Sequence, residues 1–393
     1  MPGSVIVAGA RTPIGKLSGA LGGFAAPELG GFAIAAALER AGVRPDQVDY
    51  VFMGQVIQAG AGQITARQAA VKAGIPMSVP ATTVNKVCLS GLNAIYLADL
   101  LINAGEAEIV VAGGMESMTQ APYLLPGARS GYRLGDGTLV DSMMYDGLFC
   151  AFDQCAMGLG TERYNGADGV SRARQDAFSA ASHERAAAAI KSGKFAEEIV
   201  PVLVPQRKGD PITVDTDEGV RPETTADSLA KLRPAFDKSG TITAGNASQI
   251  SDGGAAVVVM SKAKAEELGV TALGELVSYG QVAGPDPSLL SQPARSTAQA
   301  LAKAGLSVGD IDLFEINEAF AAVGLTSADE LGIPDDKLNV NGGAIALGHP
   351  VGMSGTRLAL TALYELKRRG GGTAAVSLCG GGGQGDAAVL RTI

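Results

Sequence analysis

The sequence predicts an α/β protein of two related halves, in which strands alternate with helices as in a largely parallel sheet. Three observations carry this. Residues 37–49 (Ala-Leu-Glu-Arg-Ala-Gly-Val-Arg-Pro-Asp-Gln-Val-Asp) and residues 300–312 (Ala-Leu-Ala-Lys-Ala-Gly-Leu-Ser-Val-Gly-Asp-Ile-Asp) share a helix, a glycine stop and a Val/Ile-Asp strand entry, at an offset of 263. Ser90-Gly91 returns as Ser354-Gly355 at an offset of 264. The chain is also 46% hydrophobic and only 18% charged over 393 residues, which suits two or three ordered domains with real cores.

The elements follow in order. Val79 to Val84 reads as β-like and runs into a helical stretch, Leu92 to Asn103. A strand, Glu108 to Ala112, then ends in a glycine pair. The second half repeats this with a helix over Leu358 to Arg368 and a strand over Thr373 to Leu378, again closed by glycines. Between the halves, residues 118–250 are richer in Pro, Asp and Arg and read as an inserted excursion. It holds one clear helix at Ser171 to Ser192 and a β-like segment at Glu198 to Val204. The predicted division is therefore 1–117, 118–250 and 251–393. If the halves pack about a pseudo-twofold axis, Cys88 and His349 occupy near-equivalent loops and face one another.

Three residues carry chemistry. Cys88 lies where the β-like stretch meets a helix start, a place that biases a thiol toward thiolate. Cys379 closes an apolar run and opens Gly380-Gly381-Gly382-Gly383-Gln384-Gly385. His349, one of only two histidines, sits in Gly348-His349-Pro350. The other, His183, lies among Glu184 and Arg185 and reads as part of a solvated helix face. Glycines around a second thiol and a histidine let a thioester approach closely. The combination points to acyl transfer through a cysteine.

Composition excludes other classes. A net charge of −9 argues against nucleic-acid binding, so an anionic ligand has to be met by a local patch. No stretch approaches the roughly 18 apolar residues of a membrane span, and residues 1–10 carry no secretory pattern. The expectation is a cytoplasmic protein whose four cysteines (Cys88, Cys150, Cys155, Cys379) are thiols. The glycine runs lack the Lys-Ser/Thr of a phosphate-binding loop, and no metal cluster is expected.

Four blocks, in this order, resemble the thiolases, most closely the acetyl-CoA acetyltransferases: Asn85-Lys86-Val87-Cys88-Leu89-Ser90-Gly91, Asn317-Glu318-Ala319-Phe320, Gly348-His349-Pro350, and Cys379 with its glycines. The similarity runs from Ala10-Arg11-Thr12-Pro13-Ile14-Gly15 to the last block. It implies the thiolase fold, a five-layered αβαβα core plus an inserted loop domain. It also implies a homotetramer (a dimer of dimers) assembled through the loop from Ala121 to Leu148. The implied substrates are acetyl-CoA, acetoacetyl-CoA and CoA, with no cofactor beyond these thioesters. The alternative within the family is a 3-ketoacyl-CoA thiolase acting on longer or branched chains.

By the same resemblance Cys88 becomes S-acylated, His349 takes its proton and Cys379 is the second acid/base. Asn317 holds a water that helps to polarise a thioester oxygen. The backbone N–H groups of Cys88 and Gly381 form a second oxyanion hole. Leu148, Met157, Arg221, Ser228, Phe236, Ser248 and Phe320 match positions that contact CoA. Two roles fit Glu318: orienting His349 or Asn317, or serving as a plain strand-end carboxylate. The chain departs from the family in carrying Ala156 where a histidine usually precedes the Met-Gly pair. Its 284–293 stretch is also shorter and lacks a usual methionine. By the resemblance, both spots border the acyl and pantetheine pocket.

Overall fold

A computed structural model describes residues 3–166 and 169–393. The first half runs β1 (Ser4–Arg11), α1 (Ala26–Ala41), β2 (Tyr50–Gly54), α2 (Thr65–Lys72), β3 (Ala81–Val84), α3 (Ser90–Asn103) and β4 (Ile109–Ser117). The excursion contributes a short hairpin, β5 (Phe149–Cys150) and β6 (Cys155–Ala156), then α4 (Met157–Asn165) and α5 (Arg172–Lys191). After it come β7 (Ser251–Ser261), β8 (Glu275–Ala283), α6 (Gln292–Ala304), β9 (Leu313–Ile316) and α7 (Ala321–Leu331). The chain ends with a single turn, α8 (Ala344–Leu347), then α9 (Ser354–Arg368), β10 (Thr373–Gly380) and β11 (Gln384–Arg391).

Two main sheets result. The first has the order β1-β7-β4-β2-β3, the second β8-β11-β10-β9. Each begins with two antiparallel pairings and then turns parallel, at β4–β2 in the first and β10–β9 in the second. β8-α6-β9-α9-β10-β11 thus retraces β1-α1-β2-α3-β4-β7, and α9 starts 264 residues after α3. The internal repeat in the sequence is a repeat of structure.

Strand alternation explains the layers. In β7, Val257 and Val259 face one core while Val258 and Met260 face another. The first core is the middle layer, where Leu92 and Ile95 of α3 meet Leu358 and Leu363 of α9 between the sheets. α1 and α2 cover the outer face of the first sheet, through Ile34, Leu38 and Ala69. Leu301 of α6 and Ala328 of α7 cover the outer face of the second, against Phe314 and Val389. The order is α, β, α, β, α, as the resemblance implied.

Several boundaries differ from the sequence reading. β7 begins at Ser251, where the third segment was expected to start, yet it pairs with β1 and β4 inside the first sheet. Its eleven buried residues need a neighbour on each side to satisfy their backbone, and the first half supplies both. The strand expected to stop at Ala112 continues through its glycine pair to Ser117. There a side chain at Gly114 would collide with the backbone of Gly352, so glycine lets the second half's loop pack onto the strand end. Of the β-like segment at 198–204, only Val202–Val204 is strand. No helix among the described residues is long and apolar enough to cross a membrane.

Candidate active site

The site lies where α3 and α9 start, at the seam between the halves. Cys88 is in the turn from β3 to α3. The preceding Val87 has φ +50, a left-handed conformation unusual for a β-branched residue. Side chains hold this strained turn in place. The Asn85 Oδ1 accepts from Val87 N–H at 3.1 Å, and the Ser90 hydroxyl donates to the Val87 carbonyl at 2.6 Å. Lys86 reaches across to Asp386 of β11 at 2.8 Å, and Asp386 also accepts from Tyr279 at 2.8 Å. Asp386 adjoins Gly385, the register partner of Cys379, so this ion pair ties the Cys88 turn to the Cys379 strand.

His349 follows α8 and precedes α9. Its Nδ1 lies 2.6 Å from the Ser354 hydroxyl, and its Nε2 lies 3.3 Å from Asn317 Nδ2. Ser354 donates its own hydrogen to the Pro350 carbonyl at 3.0 Å. It therefore accepts from His349 Nδ1–H, which leaves Nε2 unprotonated, a weak acceptor for the Asn317 Nδ2–H at 3.3 Å and the ring's site for taking a proton. Burial, then the Arg357 charge, pushes the imidazole down to about 3, so it is neutral at physiological pH. Asn317 stands at the end of β9, fixed by its backbone N–H to Ser377 at 2.9 Å. Its Oδ1 is buried without a partner among the described residues.

Both thiols are buried. Burial pushes Cys88 up to about 12, and the Glu116 charge adds to the rise. This corrects the expectation that the helix start biases it toward thiolate. Cys88 precedes the first turn of α3 but is cut off from water, and desolvation outweighs the helix end. The proton must leave during attack. Cys379 is also raised by burial and, next, by the proximity of Cys88.

A cavity of about 480 Å³ opens beside these groups, a size suited to a small-molecule site. His349 and Val351 line it, as do Leu148, Met157, Arg221, Phe236, Ser248 and Phe320. Neither cysteine is in this wall, but each belongs to an apolar cluster that includes wall residues. Cys88 packs with Val351 and Leu148, and Cys379 with Met157 and Phe320. Gly381 lies on an adjoining crevice with Val87 and Met157. Lys16 and Arg221 bring positive charge to the cavity, the local patch that a chain of net charge −9 needs for an anionic ligand. Ala156 is also in the wall.

Two expected placements differ. Ser228 is not in the cavity wall; its hydroxyl closes a capping box with Thr225 at the start of a short helix. His183 is not on a solvated face. It is buried and accepts from Arg221 N–H at 3.1 Å, which steadies the segment that carries Arg221 into the cavity. Burial, and then the Arg221 charge, lowers it to about 4.

Glu318 serves neither His349 nor Asn317 directly. It accepts from Ser182, Asn339 and Ile345 N–H and so anchors the turn α8 that delivers His349. Sequence reasoning missed Glu116, which accepts from Val56, Ile57 and Gly352 N–H and ties the His349 loop to the end of β2. Burial pushes it up to about 8 against those bonds. It also passed over Ser354, although the alignment with Ser90 marked the position.

The family model described as the thiolase N-terminal domain matches residues 4–263, and that of the thiolase C-terminal domain matches 270–392. The chain is 61% identical to a probable acetyl-CoA acetyltransferase of Mycolicibacterium smegmatis, over 98% of this chain and all of that protein. It is 55% identical to an acetyl-CoA acetyltransferase of Cupriavidus necator and 52% identical to one of Pseudomonas aeruginosa, each over 98% of both chains. Repeated halves, a buried Cys-His-Asn-Cys cluster at their seam and matches along the whole length agree: this chain belongs to the thiolase family.

Proposed function

We propose that the protein is an acetyl-CoA C-acetyltransferase, joining two acetyl-CoA into acetoacetyl-CoA and CoA, reversibly, through an S-acetyl-cysteine. The observation that carries the reading is the neutral His349 in the wall of a cavity whose other wall residues, Val351, Leu148 and Phe320, share apolar clusters with the buried Cys88 and Cys379.

Cys88 gives its proton to His349 Nε2 as its sulfur attacks the acetyl-CoA carbonyl. The backbone N–H groups of Cys88 and Gly381 receive the oxyanion, and the departing CoA sulfur takes the proton of Cys379. The enzyme is then acetylated, with an imidazolium at 349 and a thiolate at 379. That thiolate removes the α-proton of a second acetyl-CoA. The enolate oxygen meets His349 Nε2–H and a water held by Asn317, a role supported by the unpartnered Oδ1. The enolate carbon attacks acetyl-Cys88, and the Cys88 sulfur leaves and regains its proton from His349. Every group ends as it began.

Lys16 and Arg221 suit the CoA phosphates, and the apolar walls of Met157, Leu148 and Phe320 suit the pantetheine arm. The chemistry draws only on the thioester substrates. Exposed Tyr123, Leu125, Leu134 and Leu139 on the excursion support a homotetramer built through that loop. A cytoplasmic place in lipid metabolism accords with soluble thioester substrates. Ala156 in the wall favours a second reading, room for a longer acyl chain. Steady-state cleavage of a ladder of 3-ketoacyl-CoA lengths, followed by loss of enolate absorbance, tests both. Fastest turnover on acetoacetyl-CoA supports the proposal; a clear preference for longer chains favours the second reading; no cleavage at any length ends both.

A further inference from the structure

We propose that Cys150 and Cys155 form a reversible disulfide, a modification site that reshapes the wall of the acyl cavity. The two residues face each other in the register of β5 and β6. Directly opposite residues of an antiparallel pair project to one face, with Cα atoms about 4.5–5.5 Å apart. A disulfide needs about 4.4–6.8 Å. Both residues are free thiols with little exposure. The Cys150 sulfur is oriented by Asp153 N–H, which donates to it at 3.4 Å. Cys150 also borders two crevices, one with Asp153 and Tyr164 and one with Val87 and Gly381, which give a small oxidant a route to it.

The oxidant is a hydroperoxide. Hydrogen peroxide converts the Cys150 thiol to a sulfenic acid and releases one water. The Cys155 sulfur then attacks the sulfenyl sulfur, forming the S–S bond and releasing a second water. Two electrons and two thiol hydrogens have passed to the peroxide. A dithiol reverses the change by exchange. The bond acts on the cavity because Cys155 is followed directly by Ala156, which ends β6, and Met157, which starts α4, both in its wall. Met157 also packs against the apolar cluster that holds Cys379 and reaches the space over Gly381.

The disulfide stands on geometry alone; its effect on turnover rests on the thiolase reading. The full-length protein is treated with hydrogen peroxide, alkylated with iodoacetamide and digested with trypsin, which leaves both cysteines on one peptide, Leu134–Arg163. The expected product is that peptide lacking two hydrogens and unalkylated, with alkylation restored at both residues by dithiothreitol. Cleavage of acetoacetyl-CoA should fall about tenfold, since a misplacement of about 1 Å can cost about 100-fold. This loss should be reversed by dithiothreitol and be absent from Cys150→Ser and Cys155→Ser. Alkylation of both residues after oxidation, or separate sulfinic acids, overturns the disulfide, and mapping the unsubstituted protein decides this whether or not the variants fold. A disulfide with unchanged turnover overturns the effect on the cavity.

Discussion

Replacing Ser354 with alanine separates the base from its support. The Ser354 hydroxyl accepts from His349 Nδ1–H at 2.6 Å, and both residues are buried, so no bulk water can take its place. Removing it leaves either an orphaned ring N–H or the opposite tautomer. The first costs about 1–3 kcal/mol. The second sets an Nε2–H against the Asn317 Nδ2 donor at 3.3 Å and removes the lone pair that receives the Cys88 proton. At about 1.4 kcal/mol per tenfold, acetylation of Cys88 should slow about 5- to 150-fold. Ser354 is not in the cavity wall, so the KM for acetoacetyl-CoA should hold. The assay is rapid-quench formation of the acetyl-enzyme, with Ser354→Thr, which keeps the hydroxyl, as the rescue. A Ser354→Ala protein that acetylates at the native rate while still folded would refute the assignment of the base and its tautomer.

Three further outcomes follow from the same geometry. Cys379→Ala should abolish condensation and slow release of CoA, yet still leave acetyl-Cys88 detectable by mass spectrometry, because the nucleophile and its base remain. Lys86→Met leaves Asp386 buried beside Tyr279 without its cation. Breaking such a pair costs about 3–5 kcal/mol, and the partial exposure of Lys86, 21%, puts the loss at the low end, read by urea denaturation. Burial alone would raise Glu365, but bonds from Asn341 and Arg369 and the Lys194 charge outweigh it and hold the carboxyl down to about 2. A depressed acid stabilises the fold above its ordinary range near about 4.3 and loses that contribution as pH falls toward about 2. Melting temperatures on the acid side should therefore depend less steeply on pH in Glu365→Gln.

The repeat and the seam chemistry were legible for a physical reason: both are written in short contiguous stretches. A helix, a glycine stop and a strand entry recur at a fixed offset, and the Cys88, Asn317, His349 and Cys379 blocks each lie at the end of an element. What the sequence hid depends on long-range packing. A six-residue apolar run, Ala255 to Met260, does not say which sheet it joins, so β7 was placed with the wrong half. His183 looked exposed beside Glu184 and Arg185, but the helix turns it inward to meet Arg221 N–H. The Cys88 turn carries the local sign of a helix end, whereas its thiol obeys the burial that the whole fold imposes. Glu116 is a lone carboxylate in the sequence, and its three backbone donors come from segments about sixty and more than two hundred residues away.

The central claim is that Cys88 receives the acetyl group. Intact mass and peptide mapping after mixing with acetyl-CoA test it most directly. One acetyl adduct on Cys88, with equivalent release of CoA and none in Cys88→Ala, is the expected result. Turnover by Cys88→Ala, or an adduct carried by another residue, would contradict it.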